Sequence, residues 1–203
     1  MEALVHAQRQ RSLPHETVVV VSNRGDVEGV ARANRLGIPV EVVEQERNGT
    51  RLSREEHEAE VLDRLSAYDV ELVVLSGYMR LLSPVFLAAW PQRVLNIHPS
   101  LLPHFPGAHA HRDVLASGTT LTGCTVHLVD EGMDTGAVIA QRVTPVFPDD
   151  DEATLSAHAS KPKNIGCTPR CSRGLQKGAF EWSTTSLKLR VLKVSGSVEV
   201  GER

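Results

Sequence analysis

Short apolar runs alternate with amphipathic stretches along most of the chain. Thr17-Val18-Val19-Val20-Val21-Ser22 is a β-branched run without polar alternation, the pattern of a parallel strand buried on both faces. Pro39 to Val43, Glu71-Leu72-Val73-Val74-Leu75-Ser76 and Val94 to Ile97 predict further strands. Helical stretches separate them. Met1 to Arg11 reads as a short helix closed by Pro14. Asp26 is expected to cap a helix running through Leu36 and stopped by Gly37, with Pro39 beyond. Ser53 and Glu56 form a capping box that opens the helix carrying Ala59, Leu62 and Leu65, and Ser83-Pro84 starts another. Strands alternating with helices predict an α/β fold, a doubly wound and mostly parallel sheet. Ligands of such sheets collect beyond the carboxyl ends of the strands, where Gly77 to Leu82 and the residues after Leu95 fall.

After Pro106-Gly107 the pattern predicts a helix around Arg112 to Ala116, then strands over Thr122 to Val129 and Ala137 to Val146. Pro145 and Pro148 point to an edge or a strand end. Asp149-Asp150-Asp151-Glu152 reads as the acidic first turn of a helix continuing through Leu155. Beyond His158 the periodicity fails, and Lys161 to Gly178 mixes glycine, proline and basic residues. The expected division is a domain over 1–160 and a poorly ordered basic tail over 161–203, with a weak hairpin from Ser186 to Val194 and Val198 to Val200.

Charge sharpens that boundary, since residues 161–203 carry nine Lys or Arg against three Glu. The net charge of −3 gives no electrostatic case for nucleic acid as a partner. No apolar run reaches the length of a membrane span, and Met1 to Pro14 lacks a secretory core, which together with three sparse cysteines fits the cytoplasm. Cys124, in an apolar strand, reads as a buried inert thiol.

Candidate chemistry centres on Asn96-Ile97-His98-Pro99-Ser100-Leu101-Leu102-Pro103. In an extended segment residues two apart share a face, and Pro99 biases His98 toward that conformation. One face then carries an amide able to donate to an oxyanion beside an imidazole able to exchange a proton; the plainer alternative is a strand end meeting water. On the later loop Asp130-Glu131-Gly132-Met133-Asp134-Thr135-Gly136, a carboxylate could orient the His98 ring. His104, His109 and His111, with Asp113 and Asp134, make a metal hydrolase a competing reading, although no H-E-x-x-H pattern is present.

These two stretches, in this order and spacing, resemble the phosphoribosylglycinamide formyltransferases, the folate-dependent family of purine synthesis, and the resemblance runs to about Ala157. It implies direct formyl transfer from 10-formyltetrahydrofolate to the amine of glycinamide ribonucleotide, without metal or covalent enzyme intermediate. Asn96 and protonated His98 would stabilise the oxyanion, His98 would pass a proton to the departing folate nitrogen, and Asp134 would hold the ring. Arg54, Met79, Arg80, Leu81, Leu82 and Asn96 would receive the folate. For Arg54 the plainer reading is a solvated first-turn arginine, and for Leu81 and Leu82 ordinary core packing. The family's opening strand and Gly-Ser-Asn phosphate loop have no counterpart before Met1-Glu2-Ala3-Leu4-Val5, so neighbouring strands are expected to lose a ladder partner, and folate is expected to bind more readily than the nucleotide. Formyltetrahydrofolate deformylase, and a catalytically impaired relative that binds folate or oligomerises, stay open as alternatives; methionyl-tRNA formyltransferase is a weaker one. The partners implied are small molecules, with neither nucleic acid nor membrane, and the assembly allowed for is a homodimer.

Overall fold

The computed structural model describes residues 1–11, 15–159 and 189–195. In chain order the elements are α1 (Glu2–Arg11), β1 (His15–Ser22), α2 (Glu28–Arg35), β2 (Val40–Val42), β3 (Glu46–Arg47), β4 (Thr50–Arg51), α3 (Arg54–Ser66), β5 (Leu72–Leu75) and α4 (Pro84–Ala89). They continue with β6 (Val94–His98), α5 (Ala110–Ala116), β7 (Leu121–Leu128), β8 (Val138–Pro145), α6 (Glu152–Ala159) and β9 (Leu189–Ser195). The described residues form two compact units, one of Met1–Leu95 together with β9, the other from Asn96 onward.

In the first unit the strands lie in the order β2-β1-β9-β5, all parallel. The β-branched run supplies its centre, with Val19, Val20 and Val21 essentially without solvent exposure. Val5 of α1, Ala33 of α2 and Ile38 pack with Val20 into one apolar cluster, as expected where helices must cover a sheet face. Two departures from the pattern stand out. Helix α2 starts at Glu28 behind Val27, which makes no side-chain cap; Asp26 is instead taken by Arg24, whose Nε and Nη2 donate to it at 3.1 and 3.0 Å. On α3 the capping box of Ser53 and Glu56 is formed, but the buried stripe is His57, Glu58, Val61 and Leu65, and Ala59 is exposed.

The larger difference is β9. Part of the stretch expected as a poorly ordered tail is a seven-residue strand lying between β1 and β5, paired from His15 with Leu189 to Ser22 with Ser195. On its other side Leu72 faces Val191 and Leu75 faces Val194. The neighbours expected to lose a ladder partner are therefore paired, by a strand from the far end of the sequence. The strand is parallel to both neighbours; positions 198–200, the other arm of the expected hairpin, and 160–188 lie outside the described residues.

The second unit follows the sequence closely. Its strands run in the order β6-β7-β8, with β7 and β8 antiparallel from Leu121 opposite Pro145 to His127 opposite Val138. Pro145 thus closes a terminal strand, where a missing N–H costs no ladder bond. Val114 of α5 and Leu155 of α6 are fully buried.

Candidate active site

The apolar strand β6 ends by delivering Asn96 and His98, two residues apart. His98 is only 4 % exposed, and Asn96 is half-buried. From the loop after β7, Asp134 meets both: its Oδ2 lies 3.2 Å from His98 Nδ1, and Asn96 Nδ2 donates to its Oδ1 at 3.5 Å. The other ring nitrogen, His98 Nε2, is 2.8 Å from the Phe105 carbonyl oxygen. Both partners of the ring are acceptors, so both bonds form together only when both nitrogens carry protons.

Backbone conformation holds this arrangement. Asp134 (φ 56°) and Phe105 (φ 55°) both occupy the left-handed region that side chains disfavour, a strain that surrounding contacts must offset. Gly107, at φ 91°, needs no such compensation, and its N–H donates to Asp134 Oδ2 at 2.8 Å. Gly136 closes the acidic loop so tightly that a Cβ there would fall on the Leu128 carbonyl.

The segment after His98 is fastened by buried hydroxyls. Ser100 Oγ, wholly buried, donates to His104 O at 2.6 Å, with Phe105 O at 3.1 Å. Thr125 Oγ1 on β7 donates to Ser100 O at 2.7 Å and accepts from Leu102 N and Gln141 Nε2, each at 3.0 Å. Gln141 also donates to Leu102 O at 2.7 Å, so β7 and β8 grip the same turn.

Sequence reasoning gave His127 no role, yet it completes the cluster. It is 2 % exposed, and its Nε2 stands 3.4 Å from Asp134 Oδ1 and 3.2 Å from Asn96 Nδ2. Its Nδ1 lies 2.8 Å from the Leu128 carbonyl and so carries a proton. The Asp134 carboxyl is held down to about 2, first by the hydrogen bond from His127, then by the Gly107 N–H and the charge on His98, against burial, which raises it. A visible signal existed: Thr125 and His127 are alternate residues of β7, and both are buried. Polar residues two apart on a strand's buried face mark a site or a network, although the hydrophobic pattern alone passes over them.

The residues expected to receive a folate lie in the first unit. Arg54 opens α3 with its side chain about one third exposed, donating to Glu55 Oε1. Met79 and Leu81 are close to half exposed, whereas Leu82 is 3 % exposed and belongs to the core. Arg80 is half-buried, with Nη1 buried and without a hydrogen-bond partner among the described residues.

Among the described residues none of His104, His109 and His111 bonds the His98 ring, although the charge of His98 acts on His111. His109 stands before α5 without capping it, Asp113 is taken by Arg112 at 3.3 Å, and burial pushes His111 down in pKa, with the charge of Glu152 opposing. Among the described residues no group of three or more His, Cys, Asp and Glu could hold a metal ion. Cys124, expected to be buried, is half-exposed, because its neighbours Gly123 and Thr125 take the inner face of β7. A concavity of 520 Å³ lined by Arg112, Leu115, Asp151, Glu152 and Ala153 draws on none of the cluster residues.

The model of the formyl transferase family matches residues 1–168. The chain is 42% identical over 166 residues to the trifunctional purine biosynthetic protein adenosine-3 of Drosophila melanogaster, covering 81% of this chain but 12% of that protein. It is 37% identical over 157 residues to the phosphoribosylglycinamide formyltransferase of Escherichia coli, covering 77% of this chain and 73% of that one. Among solved structures, phosphoribosylglycinamide formyltransferase from Bacillus halodurans superposes with a TM-score of 0.77 at 36% identity, over 87% of this chain and 89% of that one.

Proposed function

Since the chain belongs to the formyl transferase family, we propose that it transfers a formyl group from 10-formyltetrahydrofolate to the amine of glycinamide ribonucleotide in purine synthesis. The observation that carries the reading is the His98–Asp134 pair, with Nδ1 3.2 Å from Oδ2 and Asn96 alongside. The reaction needs donors for the oxygen that becomes negative as the amine nitrogen adds to the formyl carbon, and a proton for the folate nitrogen when its bond to that carbon breaks. The amine nitrogen gives up one proton as it adds and the folate nitrogen takes one as it leaves, so His98 returns to its starting state and the transfer balances.

Asn96 donates one amide hydrogen toward the oxyanion in place of its longer bond, the 3.5 Å one to Asp134. The His98 Nε2 proton, held by the Phe105 carbonyl, is the other donor and the one passed on. Asp134, 3.2 Å from Nδ1, fixes the rotation of the ring. Arg54, Met79, Arg80 and Leu81 serve the folate, with apolar side chains for the flat pterin and arginine for its acidic end; Leu82 contributes through its backbone. Neither step calls for a metal. The two small-molecule substrates are the partners, the cytoplasm is the compartment, and a homodimer is the assembly to test by sedimentation.

Incubating the chain with both substrates and separating formylated nucleotide from free formate tests the proposal. Nucleotide-dependent formylation supports it. Formate released at the same rate with or without nucleotide would assign the site to water as acceptor, the deformylase reaction.

A further inference from the structure

The buried stripe of α3 contains a carboxylate that the chemistry above does not use. Glu58 is 2 % exposed, in a position where leucine would complete the stripe with Val61 and Leu65. Burying a carboxylate is costly unless its oxygens are bonded, so its presence calls for a local cause. Both oxygens lie 3.1 Å from one donor, the backbone N–H of Ser83. Ser83 is itself buried and caps α4, its Oγ accepting from Phe86 N at 3.2 Å. The residue that ends the Gly77–Leu82 loop is therefore held from both sides.

The beginning of that loop answers to the same carboxylate. Burial pushes the Tyr78 hydroxyl up to about 12, and the charge on Glu58 is the next cause, with Arg80 and Arg54 opposing. Arg54 lies one helical turn before Glu58, on the same side of α3. Glu58 thus bonds Ser83 at one end of the loop and acts on Tyr78 near the other, while Met79 and Leu81 between them project outward.

We infer that Glu58 is a positioning residue for folate binding: by accepting the Ser83 N–H it fixes the exit loop of β5 so that Met79, Arg80 and Leu81 are presented in one arrangement. This rests on reading that loop as the folate site. Glu58 does not touch the reacting atoms, so its loss is expected in folate affinity and not in turnover at saturating folate.

Two variants separate the bond from the bulk. Glu58→Gln keeps the volume and one acceptor oxygen; Glu58→Met keeps the volume and no strong acceptor. Affinity for tetrahydrofolate is measured by calorimetry, turnover at saturating folate by the transfer assay, and exchange of the 77–83 amides by mass spectrometry. The expected result is a dissociation constant within about threefold of the parent for Gln and about tenfold weaker or more for Met, where Ser83 loses its partner. Turnover at saturation stays within about twofold in both, and the 77–83 amides exchange faster in Met alone. Equal affinity in Met and parent overturns the assignment, as does an equal loss in Gln and Met. A Met variant that no longer folds also overturns it, by making Glu58 a fold determinant. No tetrahydrofolate binding by the unaltered chain overturns the reading of the loop itself, which is distinguishable because failure of Glu58 alone leaves parental binding intact.

Discussion

His98 has an acceptor at each ring nitrogen, the Phe105 carbonyl and the Asp134 carboxylate. A neutral ring satisfies one of them and turns a lone pair toward the other. Asp134 in turn is held to about 2, below the 3.8 of an unfolded aspartate. A depressed acid stabilises the fold in its ionised form, so the contribution is complete above about pH 4, declines as pH falls toward 2, and is gone below it. The shift corresponds to roughly 2 kcal/mol. Urea unfolding of parent and Asp134→Asn between pH 5 and 2 should show the parent losing stability more steeply by about that amount; parallel curves would show that the carboxylate is not held as described. For Asn96→Ala, loss of the proposed oxyanion donor predicts a fall of roughly a hundred- to a thousandfold in turnover. A change of less than about threefold would place the oxygen elsewhere.

At the scale of elements, side chains that answer to local rules were the ones legible in sequence. The Ser53–Glu56 box forms as its spacing says, with Ser53 Oγ accepting from Glu56 N at 3.1 Å and Glu56 accepting from Ser53 N at 2.8 Å. Ser53→Ala should cost about 1 kcal/mol, readable as a lowered thermal midpoint. Strand β1 and the end of β6 were legible for the same reason, since β-branched runs and proline restrict the backbone directly. Asp26 misled because Arg24 offers a charged partner that competes with the helix terminus. His57, Glu58 and His127 were hidden for a different reason. Each is buried with a polar partner supplied from outside its own element: Val43 O for His57, Ser83 N for Glu58, Asp134 for His127. Hydrophobic periodicity registers what leaves water, not what is bonded after leaving it. The acidic loop adds a prediction at this scale. A methyl group at Gly136 must displace the Leu128 carbonyl or the loop that carries Asp134. Gly136→Ala should therefore reduce turnover by about a hundredfold through misplacement, while tetrahydrofolate affinity stays within about threefold.

On the scale of the molecule, the least legible feature was which strands are neighbours. Strand β9 stands between β1 and β5 although most of the chain separates it from both. Its basic, sparsely apolar surroundings argued for a tail, because a sequence window does not reveal an open slot in a sheet. Truncation after residue 185 should uncover the ladder groups of β1 and β5, and amide exchange in those strands should accelerate by at least about tenfold. Unchanged protection there would mean that β9 contributes nothing to holding them. Comparison of the parent with His98→Ala tests whether the cluster at the end of β6 carries formyl transfer. Turnover of 10-formyltetrahydrofolate with glycinamide ribonucleotide is measured alongside the affinity of each for tetrahydrofolate. If the cluster does, turnover falls by at least about a hundredfold while folate affinity stays within about threefold of the parent. Parental turnover in His98→Ala would contradict it.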